Sequence, residues 1–377
     1  MANYLGFYDP YFYANEALGL LYKQLGFARL VHRGYDKTPT QKGSTIRIRK
    51  PSSFSVEDMP GSGQDITTGE IEVVVDKWRG NRWSINDKEL SFTQEDIIRE
   101  HIEPAVMAIA EDVDTKIAEL AYQIPWYYAA AATAEVKDLT QLAKVMTDNK
   151  VPKGMRALAI NSERSAGFQE LPTFHQANTG ANGVETQREG YLGRKFGFDI
   201  FENQSIVSTT AGALASVTQL QINAAAAVGA TSLVFKDSDG ALSGTIGKGA
   251  TFTIAGSTQR YAVTAAATVA ANVVTVNISP ALQVAVSGNE NVTLRDVSKA
   301  LNLAFHPSAI ALAMAPLSDI GAKLGQAKMA VAMDPQTGLA LRSRMWYEGA
   351  TAKAFISLDC LFGLKVLDPN RAARLES

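Results

Sequence analysis

Between Ser208 and Asn291 the amino-acid composition of the chain changes abruptly. Ala, Val, Thr, Ser and Gly predominate there, and the charged residues are only Lys236, Asp237, Asp239, Lys248, Arg260 and Glu290. Short β-type runs recur at 231–235, 251–255, 259–263, 272–278 and 291–295, separated by turn dipeptides such as Asp239-Gly240. This spacing is typical of a small all-β barrel or sandwich. Because a mixed composition returns after Arg295, we expect a β domain inserted into a larger α+β domain, with its two ends close together.

The length and charge of the chain exclude several broad classes of protein. At roughly 150 residues per domain, its 377 residues form two to three domains. Hydrophobic residues make up 46% and charged residues 20%, as in globular rather than disordered proteins. The 36 basic and 38 acidic residues give a net charge of -2, which argues against a bulk nucleic-acid binder. The single cysteine, Cys360, excludes an intrachain disulfide framework and a cysteine-based zinc site.

The first half of the chain predicts an aromatic arm and an extended hairpin. The first forty residues are rich in aromatic side chains, and a short helical pattern runs from Glu16 to Gln24. Residues 44–50 (STIRIRK) alternate isoleucine with arginine, and 70–78 (EIEVVVDKW) form a second strand. About twenty polar, turn-forming residues separate them, too many for a tight turn. A third short strand is expected from Arg82 to Asn86.

Helical periodicity follows this hairpin. Ser91 and Gln94 fit a capping box that starts a short helix. From Pro104 to about Ile124 the apolar residues recur every 3.6 positions, which predicts one long amphipathic helix. Beyond it we expect a second helix at 129–149, a buried strand at 155–160 and a flexible polar surface loop at 162–190.

No constellation of residues in the sequence indicates an active site. The Gly-Lys pair at 247–248 lacks the other residues of a phosphate-binding loop, and no G-x-S-x-G nucleophile elbow occurs. The four histidines are widely spaced and form no local metal motif. Cys360 lies in the apolar run LDCLFGL and is expected to be a buried, inert thiol. We therefore predict no catalytic, cofactor-binding or metal-binding residues, and a protein that is not an enzyme.

The sequence also predicts a soluble protein made in the cytoplasm. The start MANYLGFYDPYFYANEALG lacks the basic and apolar regions of a signal peptide. The longest apolar stretch, 300–317, is interrupted by His306-Pro307, which makes a membrane span improbable.

Several segments, taken in their order along the chain, resemble the major capsid (coat) protein of tailed bacteriophages. They are the aromatic arm, RIRKPSSF with the long hairpin, SINDKELSFTQEDIIREHIEPAVMAIAEDVD, LNLAFHPSAIALAMAPL and the ending MWYEGATAKAFISLDCLFGLKVLDP. The resemblance is to the short-tailed-phage branch, whose coat protein carries an inserted β domain. It covers almost the whole chain and rests on the ordered set, since no single motif is decisive.

The resemblance implies an α+β, Hong Kong 97-like capsid fold with an inserted all-β domain. Its implied parts are an N-terminal arm (1–40), an extended loop and following strand (41–90), a peripheral domain with the spine helix (91–129), an axial domain in two parts (130–213 and 298–345), the inserted domain (214–297) and C-terminal strands (346–377). Within the last part, strands are expected at 354–358 and 364–367.

The partners implied by this family are those of a shell subunit. The chain would form pentamers and hexamers of an icosahedral virion capsid, assembled in the cytoplasm of the host bacterium. A scaffolding protein and a portal protein would take part, and the shell would enclose double-stranded DNA without sequence-specific binding. The resemblance implies no cofactor and no membrane.

Two groups of charged residues are candidates for contacts between subunits. Arg47, Arg49 and Lys50 on the hairpin, with Glu57 and Asp58 near its tip, could form charge pairs that set the register of neighbouring subunits. The plain alternative is that they are solvated charges of little individual value. In the turns of the inserted domain, the candidates are Asp237, Asp239 and Lys248.

Two other classes of function compete with a coat protein. The Thr-, Ala- and Val-rich β segment also suits an extracellular adhesin or surface-layer binding module, against which the missing signal peptide and the long helix count. A hydrolase or transferase is the third class, with no constellation to support it.

Overall fold

The computed structural model describes residues 10–33, 45–50, 69–86, 101–176, 186–187, 189–215, 217–317, 327–333 and 339–377, and at 10–13, 22–24, 49, 50, 86 and 175 it describes the backbone alone. The α-helices are α1 (Pro10–Gln24), α2 (Glu103–Ala118), α3 (Val136–Asp148), α4 (Ser162–Gln169) and α5 (Pro172–His175). Short 3-10 helices span Phe27–Arg29, Glu119–Gln123, Pro307–Ala309 and Pro369–Arg371. None of the described helices is long and apolar enough to span a membrane.

The strands carry the larger share of the fold. They are β1 (Thr45–Lys50), β2 (Gly69–Val74), β3 (Lys77–Asn86), β4 (Tyr127–Ala129), β5 (Arg156–Ile160), β6 (Arg194–Lys195), β7 (Phe198–Glu202), β8 (Leu220–Ile222), β9 (Ser232–Asp237), β10 (Thr245–Ile246), β11 (Thr251–Ile254), β12 (Arg260–Val263), β13 (Ala267–Thr268), β14 (Val273–Ser279), β15 (Val292–Arg295), β16 (Leu301–Phe305), β17 (Ile310–Ala315), β18 (Lys328–Met333), β19 (Ala340–Glu348), β20 (Lys353–Val366) and β21 (Ala372–Glu376).

The chain divides into two compact units. The first comprises residues 1–113 and 311–367, and the second comprises 114–310 and 368–377. Each unit is therefore assembled from segments that are far apart in the sequence.

The first unit is built on an antiparallel sheet whose central strand is β20. This strand pairs with β3 along 353–362 and with β19 along 353–359, and β18 extends the sheet beyond β19. Strand β17 also pairs with β20. Helix α1 packs on β18 and β19 and buries Ala14, Ala17 and Leu21.

Strands β1 and β2 form a separate two-stranded antiparallel ribbon in the first unit. Their register places Ile48 opposite Ile71 and Arg47 opposite Glu72, so one face is apolar and the other is charged. Ile48 and Val73 are buried in a cluster with alanines of β17 and Leu361. Burial of alternate residues on one face anchors the base of the ribbon and fixes its register.

The second unit contains a six-stranded mixed sheet in the order β4-β21-β16-β5-β7-β6. The pairs β4–β21 and β5–β7 are parallel, and the remaining neighbours with a described register are antiparallel. Strands β5, β16 and β21 are buried along their whole length. Helices α3 and α4 cover the sheet with Leu139, Leu142, Met146 and Phe168.

A β barrel is inserted into this second unit between β7 and β16. Its strands follow the order β15-β11-β12-β14-β9-β8, and a bridge between Gln221 and Asn291 joins the two outer strands, so the sheet closes on itself. The centre holds Phe235, Phe252 and Tyr261, with neighbouring ring centroids 5.1 and 5.4 Å apart. Replacing one such buried phenylalanine by alanine would cost about 3–5 kcal/mol.

The two ends of the barrel segment are neighbours. Ser208 pairs with Ala300, and the Thr209 amide donates to the Lys299 carbonyl at 2.8 Å. The Asp296 carboxylate accepts from the amides of Gly212 and Gly247 at 2.9 and 2.8 Å. The expectation of an inserted all-β barrel or sandwich with adjoining ends is confirmed, and the closed form is a barrel.

The other predicted elements are partly corrected. The long helix is α-helical only to Ala118 and continues as a 3-10 turn to Gln123. The helix predicted at 129–149 begins at Val136, where Glu135 and Asp138 form a capping box, while 127–129 form β4 beside β21. The polar composition that predicted a loop at 162–190 conceals α4, whose first turn is capped by the Asn161 side chain.

Strand boundaries in the first unit also differ from the predictions. Trp78 belongs to β3, which starts at Lys77, and not to the strand expected at 70–78. The two strands expected at 354–358 and 364–367 are one strand, β20, because its pairing with β3 continues across Leu361 and Phe362. The helix expected to start at Glu16 starts at Pro10. The capping box at Ser91 and Gln94 lies outside the described residues.

Candidate functional site

The charged face of the β1–β2 ribbon carries the first group of predicted contact residues. Arg47 is 66% exposed at its side chain, and its guanidinium lies 3.3 Å from Glu72 and 3.8 Å from Glu70 of the same ribbon. The backbones of Arg49 and Lys50 lie in β1 opposite Glu70 and Gly69. Glu57 and Asp58 lie outside the described residues. The ribbon therefore presents a row of alternating charges, each exposed pair of which contributes at most about 1 kcal/mol to folding.

Asp237, a predicted contact residue of the barrel, is 1% exposed and organises its own loop. Its carboxylate accepts from the amides of Thr218 and Gln219 at 3.0 and 2.8 Å. Burial by itself would raise the pKa of Asp237, but hydrogen bonding from Asp239 and these amides lowers it below its ordinary value. The Asp237 carboxylate is thus turned inward and is not part of the barrel surface.

Asp239 and Lys248 occupy different environments. Asp239 is exposed, and its carboxylate accepts from the Thr218 hydroxyl at 2.8 Å and the Ala241 amide at 3.0 Å. The Lys248 ammonium lies 4.2 Å from the centre of the Tyr122 ring. The Tyr122 hydroxyl donates to the Ser208 carbonyl at 2.7 Å, so Lys248 lies where the barrel segment leaves the mixed sheet. Asp239 and Lys248 belong to the second unit, and the ribbon charges belong to the first.

A cationic and aromatic cluster on the sheet of the first unit was not anticipated from the sequence. Asp359 of β20 is at its centre: Arg342 donates to it twice, at 2.9 and 2.7 Å, and Arg344 lies 3.0 Å away. The Trp78 indole also donates to Asp359 at 2.9 Å. Arg82 stacks over Trp346 and Phe355, whose rings are 5.3 Å apart. We call this set the arginine–tryptophan face.

The charges of the arginine–tryptophan face are unequal. Among its described residues, three guanidinium groups (Arg82, Arg342, Arg344) accompany one carboxylate (Asp359). Burial lowers the pKa of Arg344, and the neighbouring arginines lower it further against the opposing effect of Asp359. Trp78 is 45% exposed and Arg82 is exposed, so the face is accessible in the single chain.

Alternation along the strands was the signal that could have revealed this face. In 342–346 (RSRMW), Arg342, Arg344 and Trp346 recur at period two, and in 78–84 (WRGNRWS) Trp78 and Arg82 lie an even number of positions apart and so share a face. Their convergence on Asp359 depends on strand register, with Gly80 opposite Asp359 in one pair and Arg342 opposite Asp359 in the other. A partly exposed surface rich in Arg and Trp has the composition of a protein–protein contact.

The thiol of Cys360 follows its expectation. Cys360 is buried, as predicted, and burial together with the charges of Asp359 and Asp112 raises the pKa of its thiol to about 12. Within the described part of the chain, no three His, Cys, Asp or Glu side chains lie close enough to hold a metal ion.

Comparison with known proteins adds a likeness in fold. No protein-family model matches the chain, and no curated protein matches it in sequence. A solved structure from Mycobacterium phage Che8 has 14% sequence identity and a TM-score of 0.51, covering 93% of this chain and 90% of its own. The capsid structure of cyanophage P-SCSP1u has 14% identity and a TM-score of 0.48, covering 90% and 84%.

A third solved structure, the head of Helicobacter pylori bacteriophage KHP40, has 10% identity and a TM-score of 0.46 and covers 93% of this chain and 90% of its own. At 14% identity, the likeness to the Che8 structure shows the fold. The chain has the α+β, Hong Kong 97-like fold with an inserted all-β barrel, and the fold class expected from the resemblance is confirmed.

Proposed function

We propose that this chain is the major capsid protein of a tailed bacteriophage, which self-assembles into an icosahedral shell around double-stranded DNA. The observation that carries the proposal is the Hong Kong 97-like fold, shared over nine-tenths of this chain and of a phage protein. The order of sequence motifs supports the same function independently of that likeness.

The surfaces of the single chain suit a subunit that makes many moderate contacts. The ribbon exposes alternating charges, and the arginine–tryptophan face exposes aromatic and cationic groups in another part of the first unit. Charge patterns of this kind set register and exclude wrong partners more than they add affinity. We infer that copies of the chain contact one another through such surfaces in pentamers and hexamers. The near-neutral net charge of -2 suits a container from which DNA must later leave.

The structural roles of the individual segments belong to the same proposal. Residues 41–90 would form the extended loop and the following strand, 91–129 the peripheral domain with the spine helix, and 130–213 with 298–345 the axial domain. The arm (1–40), the inserted domain (214–297) and the C-terminal strands (346–377) complete the subunit. A scaffolding protein and a portal protein would take part in assembly in the bacterial cytoplasm, and no cofactor or catalytic residue is needed.

The contact residues are proposed with one refinement. Arg47, Arg49 and Lys50, with Glu57 and Asp58, would pair with neighbouring subunits through the ribbon. In the barrel, Asp239 and Lys248 stay in the proposed set. Asp237 would act only by shaping the loop that presents Asp239, since its own carboxylate is buried.

Negative-stain electron microscopy of the purified chain, expressed alone and with its scaffolding partner, tests the proposal. We expect uniform closed shells, tens of nanometres across, in the presence of the partner. Sheets or spirals from the chain alone would still indicate a coat protein, one that needs scaffolding to curve correctly. Small monodisperse particles under both conditions would overturn the proposal and favour a binding module such as an adhesin.

A further inference from the structure

The outer surface of the barrel carries polar side chains in register on three adjacent strands. Thr253 of β11 lies opposite Arg260 of β12 and Thr293 of β15, and Thr251 lies opposite Arg295. Residues directly opposite in an antiparallel pair project to the same face. Since Phe252 and Ile254 fill the barrel core, these threonines and arginines share its outside.

Both arginine side chains lie against one tyrosine, Tyr127, which belongs to strand β4 of the mixed sheet. The Arg260 and Arg295 guanidinium groups lie 4.6 and 4.5 Å from the centre of the Tyr127 ring. Arg260 also donates to the Tyr127 carbonyl at 3.3 Å. Two like charges held against one ring repel each other, and a negative charge close to both offsets this repulsion.

Protein carboxylates compensate only part of this charge. Glu376 lies 2.7 Å from Arg295 and 3.5 Å from the fully buried Arg374. Arg260 forms no ion pair with any residue of the described chain, and Arg295 Nε is buried without a hydrogen-bond acceptor there. Arg295 and Arg374 thus share one carboxylate, and Arg260 has none among the described residues. The buried Arg295 Nε remains unsatisfied, which costs about 1–3 kcal/mol.

A cavity lies where these groups meet. It has a volume of about 170 Å³ and is lined by Tyr127, Thr251, Phe252, Thr253, Arg260, Thr293 and Arg295. One water molecule needs about 10–15 Å³ by this measure, so the space accommodates a small polyatomic ion. Among the described residues that line it are guanidinium and hydroxyl donors and no carboxylate.

We propose that this cavity is an oxyanion-binding site that takes a phosphate or carboxylate group. Arg260 and Arg295 supply charge-assisted hydrogen bonds, in the geometry for which guanidinium groups are preferred, and the threonine hydroxyls complete the donor set. Tyr127 holds both guanidinium groups in place. The bound anion supplies the second negative charge that the cluster lacks. The site lies within the second unit and does not depend on the proposed shell function.

Isothermal titration calorimetry of the unassembled full chain tests the site. The titrants are inorganic phosphate and acetate, each at constant ionic strength with chloride as the reference anion. We expect saturable binding of at least one of them, with one site per chain. Phosphate binding without acetate binding would identify a phosphate-bearing ligand, and the reverse would identify a carboxylate-bearing one. Binding of neither would overturn the proposal.

Matched variants locate the binding. Arg260→Gln should weaken it about tenfold or more, as expected for loss of a hydrogen bond from a charged donor. Lys236→Gln makes the same charge change on β9, outside the cavity lining, and should leave the affinity unchanged. If Arg260→Gln does not fold, Thr293→Val removes one hydroxyl without altering charge and should still weaken binding. Equal affinities in all variants would exclude this cavity as the site.

Discussion

At the scale of single residues, polar side chains hold the irregular segments of this protein. His306 shows the principle. Its ring Nδ1 lies 2.7 Å from the Ser308 hydroxyl and accepts from the Ser308 amide at 3.3 Å, which caps the 3-10 turn at 307–309. Burial lowers the pKa of His306, and the nearby charges of Arg371 and Arg156 lower it further. The neutral ring is therefore the form that the fold requires.

Stability should fall on acidification because of His306. The unfolded chain binds this proton near an ordinary pKa of about 6.5, whereas the folded chain binds it only at lower pH. The contribution of the neutral His306 ring to the free energy of unfolding is thus fully present above about pH 6.5, and it is lost as pH falls through the lowered folded pKa. His306→Asn keeps a capping oxygen but does not titrate. Urea midpoints measured from pH 8 to pH 5 should fall more steeply for the natural chain than for this variant; parallel profiles would contradict the assignment.

At the scale of elements, strand register decides which residues meet, more than composition does. Gly80 of β3 lies opposite Asp359 of β20, and a Cβ atom there would be 2.5 Å from Asp359 Cβ and closer still to the Leu358 carbonyl oxygen. Both obstacles belong to the central strand of the sheet. Gly19 of α1 offers a contrast, since a Cβ atom there meets nothing within 4 Å.

Gly80→Ala should therefore destabilise the chain by about 1–3 kcal/mol, the usual cost of overpacking. Gly19→Ala should instead stabilise it by about 0.5–1 kcal/mol, because alanine restricts the unfolded chain and favours a helix. Chemical unfolding of both variants beside the natural chain measures the two effects. A Gly80→Ala chain as stable as the natural one would show that β3 and β20 are further apart than described.

The difference between a local sequence pattern and strand register explains which elements the sequence could predict. Strands β9, β11, β12, β14 and β15 were predicted because each carries its own alternating pattern between turn residues. Helix α4 was missed because its polar residues resemble a loop, and only the Asn161 cap signals its start. The arginine–tryptophan face could not be predicted, because Trp78 and Asp359 are 281 positions apart and meet only through strand pairing.

At the scale of the whole molecule, the ribbon charges have two possible partners. Arg47 already pairs with Glu72 and Glu70 within the chain, so a simple charge reversal alters both the ribbon and whatever contacts it. Exposed pairs contribute little to folding. An effect on assembly without an effect on stability would therefore point to a neighbouring subunit.

Reversal of Arg47 and Arg49 to glutamate should leave the subunit folded but prevent closed shells. The matched test compares Arg47→Glu with the swap Arg47→Glu plus Glu72→Arg, which restores the pair within the ribbon while inverting its pattern. We expect both to melt like the natural chain and both to fail in shell formation, scored by electron microscopy. Normal shells from the swap alone would mean that only the internal pair matters, and normal shells from every variant would remove the ribbon charges from the proposed contacts.

The adjoining ends of the barrel segment have a consequence for how the barrel could be gained or lost in evolution. Because Ser208 and Ala300 are paired neighbours, one recombination event could add or remove everything between them without shifting the flanking strands β7 and β16. The barrel is nevertheless tied to its host sheet, because the buried Arg374 donates to the Gly249 carbonyl at 2.8 Å. Loss of the barrel would leave this buried guanidinium without its Gly249 acceptor, so we expect a chain that lacks the barrel to carry a different residue at position 374.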